Sequence, residues 1–595
     1  MGKLGERMER NAFLIHKKIH QYILPGVLMT VAMQLGNVVD GMIVGNILGP
    51  EAMAAIELSM PVLLLLQMPA MMLAMGGAAE AAVLLGKRKT KEAGGIFTAS
   101  LLAGIGLALI FALMTPILPG ILSQALAGNE LMAALVKPYI AVNFAGIPIL
   151  TAAIICCYFM NTDNHPQLGS ALFIIANAVN LVLDFVFLKV FHLGMAGSAL
   201  STVIGYLTGM VTVLCYMRSK NRMLRFTKPG GSLVKYIKMA AAAGIPSAAF
   251  TLMSALKSVI INSAIVRFLG NDPMAVYSVC ANAVLIAELC VGGIIGLVPN
   301  IAGILYGERD YYGIRALCKR VLTYSYLAIA VLMVIFFLFP QAIAGLFGIT
   351  GGDMLVMCNM ALRIFACSFP FYVYNKFLMS YYQTILQSGL ATVITLLQGF
   401  VVIVPFTLLA MFWAGFTGVC ATAAAGEIVT ILCSILYRVQ GQKRGHIPGG
   451  GQYMLPQVTN EVSLDFSMEN QFEDITLFRD EVLDFCVENG IGEKDARYLA
   501  LALEEMTANI VKYGYRSGQK NYMDISFTIQ DEKYILRIRD DGVPFNPLEQ
   551  EIAKEGPVVG GIALIRKIMS DFQYTRVLNM NNTIMELKMH DGEKQ

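Results

Sequence analysis

A chain of 595 residues is long enough for several soluble domains, but its composition is 56% hydrophobic and only 14% charged. With a mean hydropathy of +0.63, that composition describes a membrane protein. A net charge of +3, with no basic patch interleaved with aromatics, argues against a nucleic-acid partner.

The average hides a break. Residues 1–440 are long apolar runs with charges between them, and residues 458–595 are ordinary soluble sequence rich in Asp, Glu, Lys and Arg. Residues 1–20 read as a short basic amphipathic lead-in on the cytoplasmic side, and no cleaved signal peptide is read from them. Apolar spans are expected at roughly 21–48, 57–84, 94–118, 132–158, 168–190 and 195–217. After a basic loop at 218–237 they are expected at roughly 238–267, 275–304, 317–346, 353–384, 389–411 and 415–437. The expected fold is therefore an all-α polytopic membrane protein of twelve transmembrane helices in two six-helix lobes, at 21–217 and 238–440. The eleven Cys are scattered, with no CxxC pair or Cys/His metal spacing, and read as small core residues.

Lys and Arg gather in alternate connections: Lys17–Lys18, Lys87–Lys91, 218–238, Arg309–Arg320 and Arg438–Arg444. The other connections (NILGPEA, SQALAGNE, FGITGGD) are nearly bare. The positive-inside rule then places both termini in the cytoplasm of a multi-pass inner (plasma) membrane protein. An internal repeat orders the spans. Pro25 and Pro246, Gly49 and Gly270, Gly194 and Gly415, and Gly197 and Gly418 all recur at one offset, 221 residues. Because the offset covers six helices, the copies share one topology, an architecture that puts a transport site near the midplane between two lobes.

The repeat exposes an asymmetry. Asp40 falls opposite Ile261, and Asp184 opposite Pro405, so the first half keeps two acids that the fold does not require. An acid inside a membrane span is a functional-site hypothesis by default. Asn37 is near the first acid, and Asn177 and Asn180 share a helical face with the second. Two neighbouring buried carboxylates cannot both ionise cheaply, so they can share a proton; the same oxygens suit a dehydrated Na⁺. The second half carries Lys257, Glu288, Arg363, Lys376 and Glu427. Some of these suit internal pairing, and Glu288 is a candidate for holding a cationic substrate.

The stretch NVVDGMIVGNILGPEAMAAI, the helix NAVNLVLDFVF and the segment GMAGSALST resemble the multidrug and toxic compound extrusion (MATE) family across about residues 15–440. That resemblance implies an antiporter driven by H⁺ or Na⁺, with Asp40, Asn180 and Asp184 at an N-lobe cation site. The family's RxxGNP-type turn after the fourth span reads MNTDNHPQ here, a departure in detail.

Residues 441–457 form a Gly/Pro linker, and 458–595 read as an α+β domain. On its second helix Glu505 and Asn509 are four residues apart and face one side, an oxygen pair suited to Mg²⁺ and phosphates. RIRDDGVPFNP ends a strand on an acid and a Gly turn, where Asp540 can accept from an adenine amino group and Gly542 lets backbone approach closely. VVGGIALIRKIM opens a helix after two glycines, a phosphate-binding arrangement. No GxxxxGK[ST] occurs, so the chain is not a P-loop pump. In this order the segments resemble the histidine-kinase-type ATPase fold, closest to anti-sigma-factor serine kinases, over about 460–590. The resemblance implies Glu505 as catalytic carboxylate, Asn509 as Mg²⁺ ligand, Asp540 as adenine contact, and Gly542 and Gly561 as close-approach positions. Val559 stands where the family's first Gly of GxG belongs, which bears on whether phosphate is transferred.

These readings predict an H⁺- or Na⁺-coupled exporter of small organic compounds, cations included, in a lipid bilayer. Its tail would bind ATP and Mg²⁺ and act as a regulatory or kinase domain, with a cytosolic regulatory protein as candidate partner. The rival is a membrane-anchored signalling protein whose tail is a serine kinase or anti-sigma-like binder; a lipid-linked precursor flippase ranks below it.

Overall fold

The computed structural model describes residues 10–126, 130–219, 222–227, 232–347, 349, 351–445, 453–455, 462–515, 520–530, 533–549 and 559–589. The chain divides into two compact units: Ile19–Ile447, and Met1–Lys18 together with Pro448–Gln595. Much of the linker at 441–457, and residues 550–558 of the segment before the last helix, lie outside the described residues.

The first half of the membrane unit contains α1 (Phe13–Leu48), α2 (Pro50–Gly86), α3 (Thr90–Leu113), α4 (Leu118–Leu126), α5 (Glu130–Thr162), α6 (Pro166–Phe185), α7 (Gly194–Gly209) and α8 (Val211–Arg218). The second contains α9 (Leu233–Phe268), α10 (Asn271–Ile295), α11 (Leu297–Gly307), α12 (Tyr311–Leu338), α13 (Pro340–Leu346), α14 (Gly352–Ala366), α15 (Phe369–Thr384), α16 (Ser388–Leu396) and α17 (Ile403–Lys443). One π-helical turn, Val186–Val190, follows α6, and another, Leu397–Val401, separates α16 from α17.

The repeat is written in the backbone. Gly49 and Gly270 have φ of 95° and 97°, Gly194 and Gly415 have 56° and 59°, and even Arg88 and Arg309 share 63° and 61°. All three pairs keep the 221-residue offset. These left-handed positions mark the turns between successive helices, where ordinary residues pay a steric penalty and glycine does not.

Among the described residues, nine helices are long and apolar enough to cross a membrane, ten if α14 and α15, bent by 43°, form one broken span. The twelve expected spans are not reached by that criterion, and the reasons are physical. Ser388–Lys443 counts once at 56 residues, yet at 1.5 Å per residue a straight helix of that size would be about 84 Å long. It is not straight: Gly415 leaves the helical region at φ 59°, ψ −141°, and Thr407 Oγ1 lies 3.0 Å from Thr422 Oγ1. Fifteen residues apart on one helix, those atoms would be about 22 Å apart, so the chain reverses at Gly415. The first helix, α1, is 36 residues long and is not among the nine.

At several points the two halves meet backbone to backbone. A methyl group on Gly76 would strike the carbonyl of Ala240, and one on Gly244 the carbonyl of Met72. Gly86 would strike Ile304, and Gly307 would strike Val83 and come within 2.9 Å of the Gly86 Cα. Gly86 and Gly307 are themselves one repeat apart. Gly26 meets Gly293 in the same way, and Thr162 Oγ1 donates to Asn300 Oδ1 at 3.3 Å. Gly86 and Gly307 close the helices that lead into the basic loops at Lys87–Lys91 and Arg309–Arg320.

The second unit is a five-stranded antiparallel sheet in the order β1-β2-β3-β5-β4. The strands are β1 (Val462–Glu469), β2 (Tyr522–Gln530), β3 (Lys533–Asp540), β4 (Asp571–Val577) and β5 (Met580–Lys588). The helices α18 (Phe472–Glu488), α19 (Glu493–Asn509) and α20 (Val559–Ile568) bury an apolar face that includes Phe478, Leu503 and Ile565 against Phe466, Phe527 and Leu536. A π turn, Ile510–Gly514, ends α19.

Candidate functional sites

In the membrane unit, Asp40 lies two turns before the end of α1, and Asp184 is the penultimate residue of α6, just ahead of the π turn. Such turns recur at functional sites because they re-aim side chains. Asp184 is 0% exposed. Its Oδ1 accepts from Ser201 Oγ on α7. Asn180 Nδ2 donates to Ser201 Oγ and Thr202 Oγ1, at 3.1 Å each. The Asp40 carboxyl is within interaction range of Asp184 and Ser198. Yet Asp40 Oδ1, Asp184 Oδ2 and Ser198 Oγ are buried with no hydrogen-bond partner among the described residues. Two carboxyl groups and the Ser198 hydroxyl thus meet in one buried place, an oxygen set of the kind that shares a proton or holds a cation.

The structure separates the predicted residues. Asp40, Asn180 and Asp184 come together. Asn177 turns elsewhere, its Nδ2 donating to Phe173 O at 2.8 Å and its Oδ1 lying where a side chain on Gly36 would be. The side chain of Asn37 lies outside the described residues. Ser198, Ser201 and Thr202 are additions. GMAGSALST held the signal, hydroxyls three and four residues apart on one helical face, but the segment was read only as a repeat and a family marker.

In the second half Lys376 and Glu288 pair with each other. Lys376 Nζ lies 3.0 Å from Glu288 Oε1 and 4.8 Å from the centre of the Phe250 ring, and Tyr372 OH donates to Glu288 Oε2 at 2.5 Å. Glu288 therefore already has a cation, the internal pairing that was one of the two expectations for these charges. Glu427 accepts from Asn375 Nδ2 at 2.6 Å and from Gln398 Nε2 at 3.0 Å, and Gln398 sits in the second π turn. Lys257 has no ion-pair partner among the described residues.

In the soluble unit, α19 presents Glu505 against the start of α20. A side chain on Gly561 would occupy the place of the Glu505 carboxylate. Asn509 Nδ2 donates to the Glu505 carbonyl at 2.7 Å, which commits the nitrogen to the helix and leaves Oδ1 as the outward group. Glu505 and Asn509 thus offer an oxygen set that fits Mg²⁺. Asp540, 2% exposed, accepts through Oδ1 from Gly542 N at 2.8 Å and from Asn581 Nδ2 at 2.9 Å. A methyl on Gly542 would lie 2.5 Å from the carbonyl of Gly514, so the DDG turn and the end of α19 touch backbone to backbone. Asn581 was missed by the sequence reading because its role depends on β3–β5 register, Asp540 opposite Asn581.

Residues 25–186 match the MatE family, and residues 468–588 match the histidine kinase-like ATPase domain. The chain thus carries a match to the MatE family model in its membrane unit and one to the histidine kinase-like ATPase model near its C-terminal end. The MatE-containing part is similar to the multidrug export protein MepA of Staphylococcus haemolyticus (strain JCSC1435), at 23% identity over 422 residues, covering 70% of this chain and 91% of that protein. It is also similar to the probable multidrug resistance protein YoeA of Bacillus subtilis (strain 168), at 22% identity over 370 residues, covering 59% of this chain and 77% of that one. Among solved structures, an outward-facing multidrug resistance MATE family transporter of the MOP superfamily aligns with a TM-score of 0.66 at 19% identity, over 72% of this chain and 97% of its own. That likeness establishes the MATE fold for the membrane unit.

Burial pushes the carboxyl of Asp540 in the ATPase domain up to about 6. The ionised form is the stronger acceptor for an adenine amino group, since charge-assisted hydrogen bonds are about twice as strong as neutral ones. With Asp540 as the adenine contact that the resemblance implies, affinity for an adenine ring should fall as pH drops through about 6, and recover as pH rises. The folded domain also holds its extra proton between the ordinary carboxylate value and about 6, so its unliganded stability should move the opposite way, rising as pH falls through that window. Adenosine, which has no titrating phosphate, is the probe: calorimetry on the full-length protein should show the step, and Asp540→Asn should flatten it. A step of equal size in the variant would assign it to another group.

Proposed function

We propose that the membrane unit is a cation-coupled antiporter that exports small organic compounds, and that the ATPase domain binds Mg·ATP and regulates it. The observation that carries the transport reading is the meeting of Asp40, Asp184 and Ser198 in one buried place, with Asp40 Oδ1 and Asp184 Oδ2 left without a hydrogen-bond partner among the described residues. A proton or a Na⁺ satisfies them; removing it leaves two carboxylates repelling in low dielectric. Binding and release of that ion therefore has differential energy to spend on helix position, which is what an antiporter requires. The names of the relatives support a multidrug export class for the substrate.

In this account the close approaches of Gly76–Gly244, Gly86–Gly307 and Gly26–Gly293 support an arrangement closed toward the basic loops, that is, an outward-facing state. A cation entering from outside bridges Asp40 on α1 and Asp184 on α6. Drawing those helices together reshapes the N-lobe and expels the substrate outward. Rocking about the glycine contacts then exposes the site to the cytoplasm, where the ion leaves. Glu288 accepts a cationic substrate only by exchanging Lys376 for it, so its contribution depends on opening that pair. The Lys and Arg distribution supports cytoplasmic termini in the plasma membrane, with the regulatory tail where ATP is. In that tail Glu505 is positioned for proton transfer and Asn509 for Mg²⁺, and the bound nucleotide supplies the phosphoryl chemistry. A cytosolic regulatory protein is a fitting recipient or reader of that domain.

The test uses the full chain in proteoliposomes loaded with a cationic dye. Export should follow an imposed inward H⁺ or Na⁺ gradient without ATP. Dye movement driven by ATP alone, with no response to either gradient, would overturn the antiporter reading.

A further inference from the structure

The start of α1 is built into the unit that contains the ATPase domain. Asn11 N donates to Ser467 Oγ on β1 at 3.0 Å. Ser467 Oγ donates in turn to Asp524 Oδ1 on β2 at 2.7 Å. The Arg10 guanidinium lies 3.3 Å from Asp524 Oδ2, and the Phe13 and Tyr522 rings are 5.0 Å apart. Leu14 and Ile15 are fully buried. One turn on, Lys17 Nζ lies 2.5 Å from Asp541 Oδ2 and 3.2 Å from Asn521 Oδ1. Lys18, 2% exposed, donates to the Asn579 carbonyl at 3.5 Å, and burial pushes its amine down to about 8. Three cations of one short segment thus meet acids and carbonyls of one sheet edge and the turns beside it.

The position of Asp541 gives this docking a consequence. It is the neighbour of Asp540 in the DDG turn, and that turn is pinned on both sides: Asn581 Nδ2 donates to Asp540 and to the Val543 carbonyl, at 2.9 and 3.0 Å, and Arg576 donates to the Gly542 carbonyl at 3.2 Å. A ligand on Asp540 and a lysine on Asp541 therefore act on one short, tethered piece of backbone. Lys17 belongs to the same helix as Asp40, 23 residues ahead of it in the chain. Pro25, inside that helix, removes one backbone donor between them, a place where restraint at one end changes the bend of the other.

Building on the nucleotide-binding reading above, we propose that the head of α1 is a nucleotide-reporting clasp: adenine held at Asp540 steadies the DDG turn, tightens Asp541 on Lys17, and so restrains the helix that carries the Asp40 ion ligand. The clasp makes the energy state of the cell a regulator of ion coupling without any hydrolysis step, which suits a domain whose Gly-rich segment carries Val559. Coupling of this kind works by ordering a segment that would otherwise open locally.

The experiment is hydrogen–deuterium exchange on the full-length protein, following peptides that cover residues 10–24, with and without Mg·ATP. Binding is read in parallel by displacement of a fluorescent ATP analogue. Mg·ATP should slow exchange there by about fivefold or more, the lower end of ordinary coupling energies. Lys17→Ala should still bind the analogue and lose the response; Lys17→Arg should restore it. If ATP displaces the analogue but exchange in 10–24 does not change, or if Lys17→Ala responds as the wild type does, the clasp is wrong while the nucleotide site stands. If the analogue does not bind the wild-type protein, both fall together.

Discussion

Asp40→Asn should abolish ion-driven export while leaving the protein folded and still able to bind dye. The substitution keeps the shape and removes one of the two carboxylates that share the cation. Taking one partner from a buried charged site costs on the order of 3–5 kcal/mol, more than a hundredfold in ion occupancy at 1.4 kcal/mol per factor of ten. The fold tolerates the loss, because the repeat places Ile261 at the matched position of the second half. Asp184→Asn should have the same effect on transport with a larger effect on stability, because Asp184 is fully buried and accepts from Ser201. Gradient-driven dye export and dye binding, measured on the same preparations, separate the two effects. Undiminished export by Asp40→Asn would show that the coupling ion binds elsewhere.

Gly307→Ala should shift the balance between the two faces of the transporter. A single methyl at that position meets the Val83 carbonyl and the Gly86 backbone, and backbone cannot rotate away as a side chain can. Overpacking a tight contact costs about 1–3 kcal/mol; applied to one conformation only, that is a fivefold to 150-fold change in population. Gly86→Ala, one repeat away, should behave alike. Spin labels at Glu51 and Asp272, first-turn residues of α2 and α10, report the separation at the opposite end. In a background lacking the exposed Cys215 and Cys367, the population with widely separated labels should shrink. An unchanged distance distribution would mean that the glycine contact is not broken during transport.

Much of this architecture was legible in the chain because membrane and repeat signals are local or periodic. Apolar runs announce spans, glycine turns recur at one offset, and their shared φ values show that the offset is structural. The order of Glu505, Asn509, Asp540, Gly542 and Gly561 was enough to place the ATPase domain. What escaped depends on chain reversal. Ser201 lies 17 residues beyond Asp184, and nothing local says that α7 folds back along α6 to bring them together. That some of the second-half charges pair was readable, but which ones was not: Lys376 is 88 positions from Glu288. The docking of Arg10, Lys17 and Lys18 on the C-terminal domain spans more than 500 residues, and a run of basic residues before a span reads equally well as a positive-inside signal. A count by helix length differs from the expected twelve for the opposite reason: Gly415 reverses the chain, between the spans expected at 389–411 and 415–437, inside what continues residue by residue as helix.

The central claim is that Asp40 and Asp184 together hold one exchangeable cation. Ion release on substrate binding tests it most directly. Purified full-length protein in weakly buffered solution is mixed with saturating cationic dye while pH and free Na⁺ are followed. The account predicts release of about one H⁺ or Na⁺ per molecule, because an interacting pair of acids exchanges its ion as a unit, and no release from Asp40→Asn. Equal release from the wild type and from Asp40→Asn would contradict it.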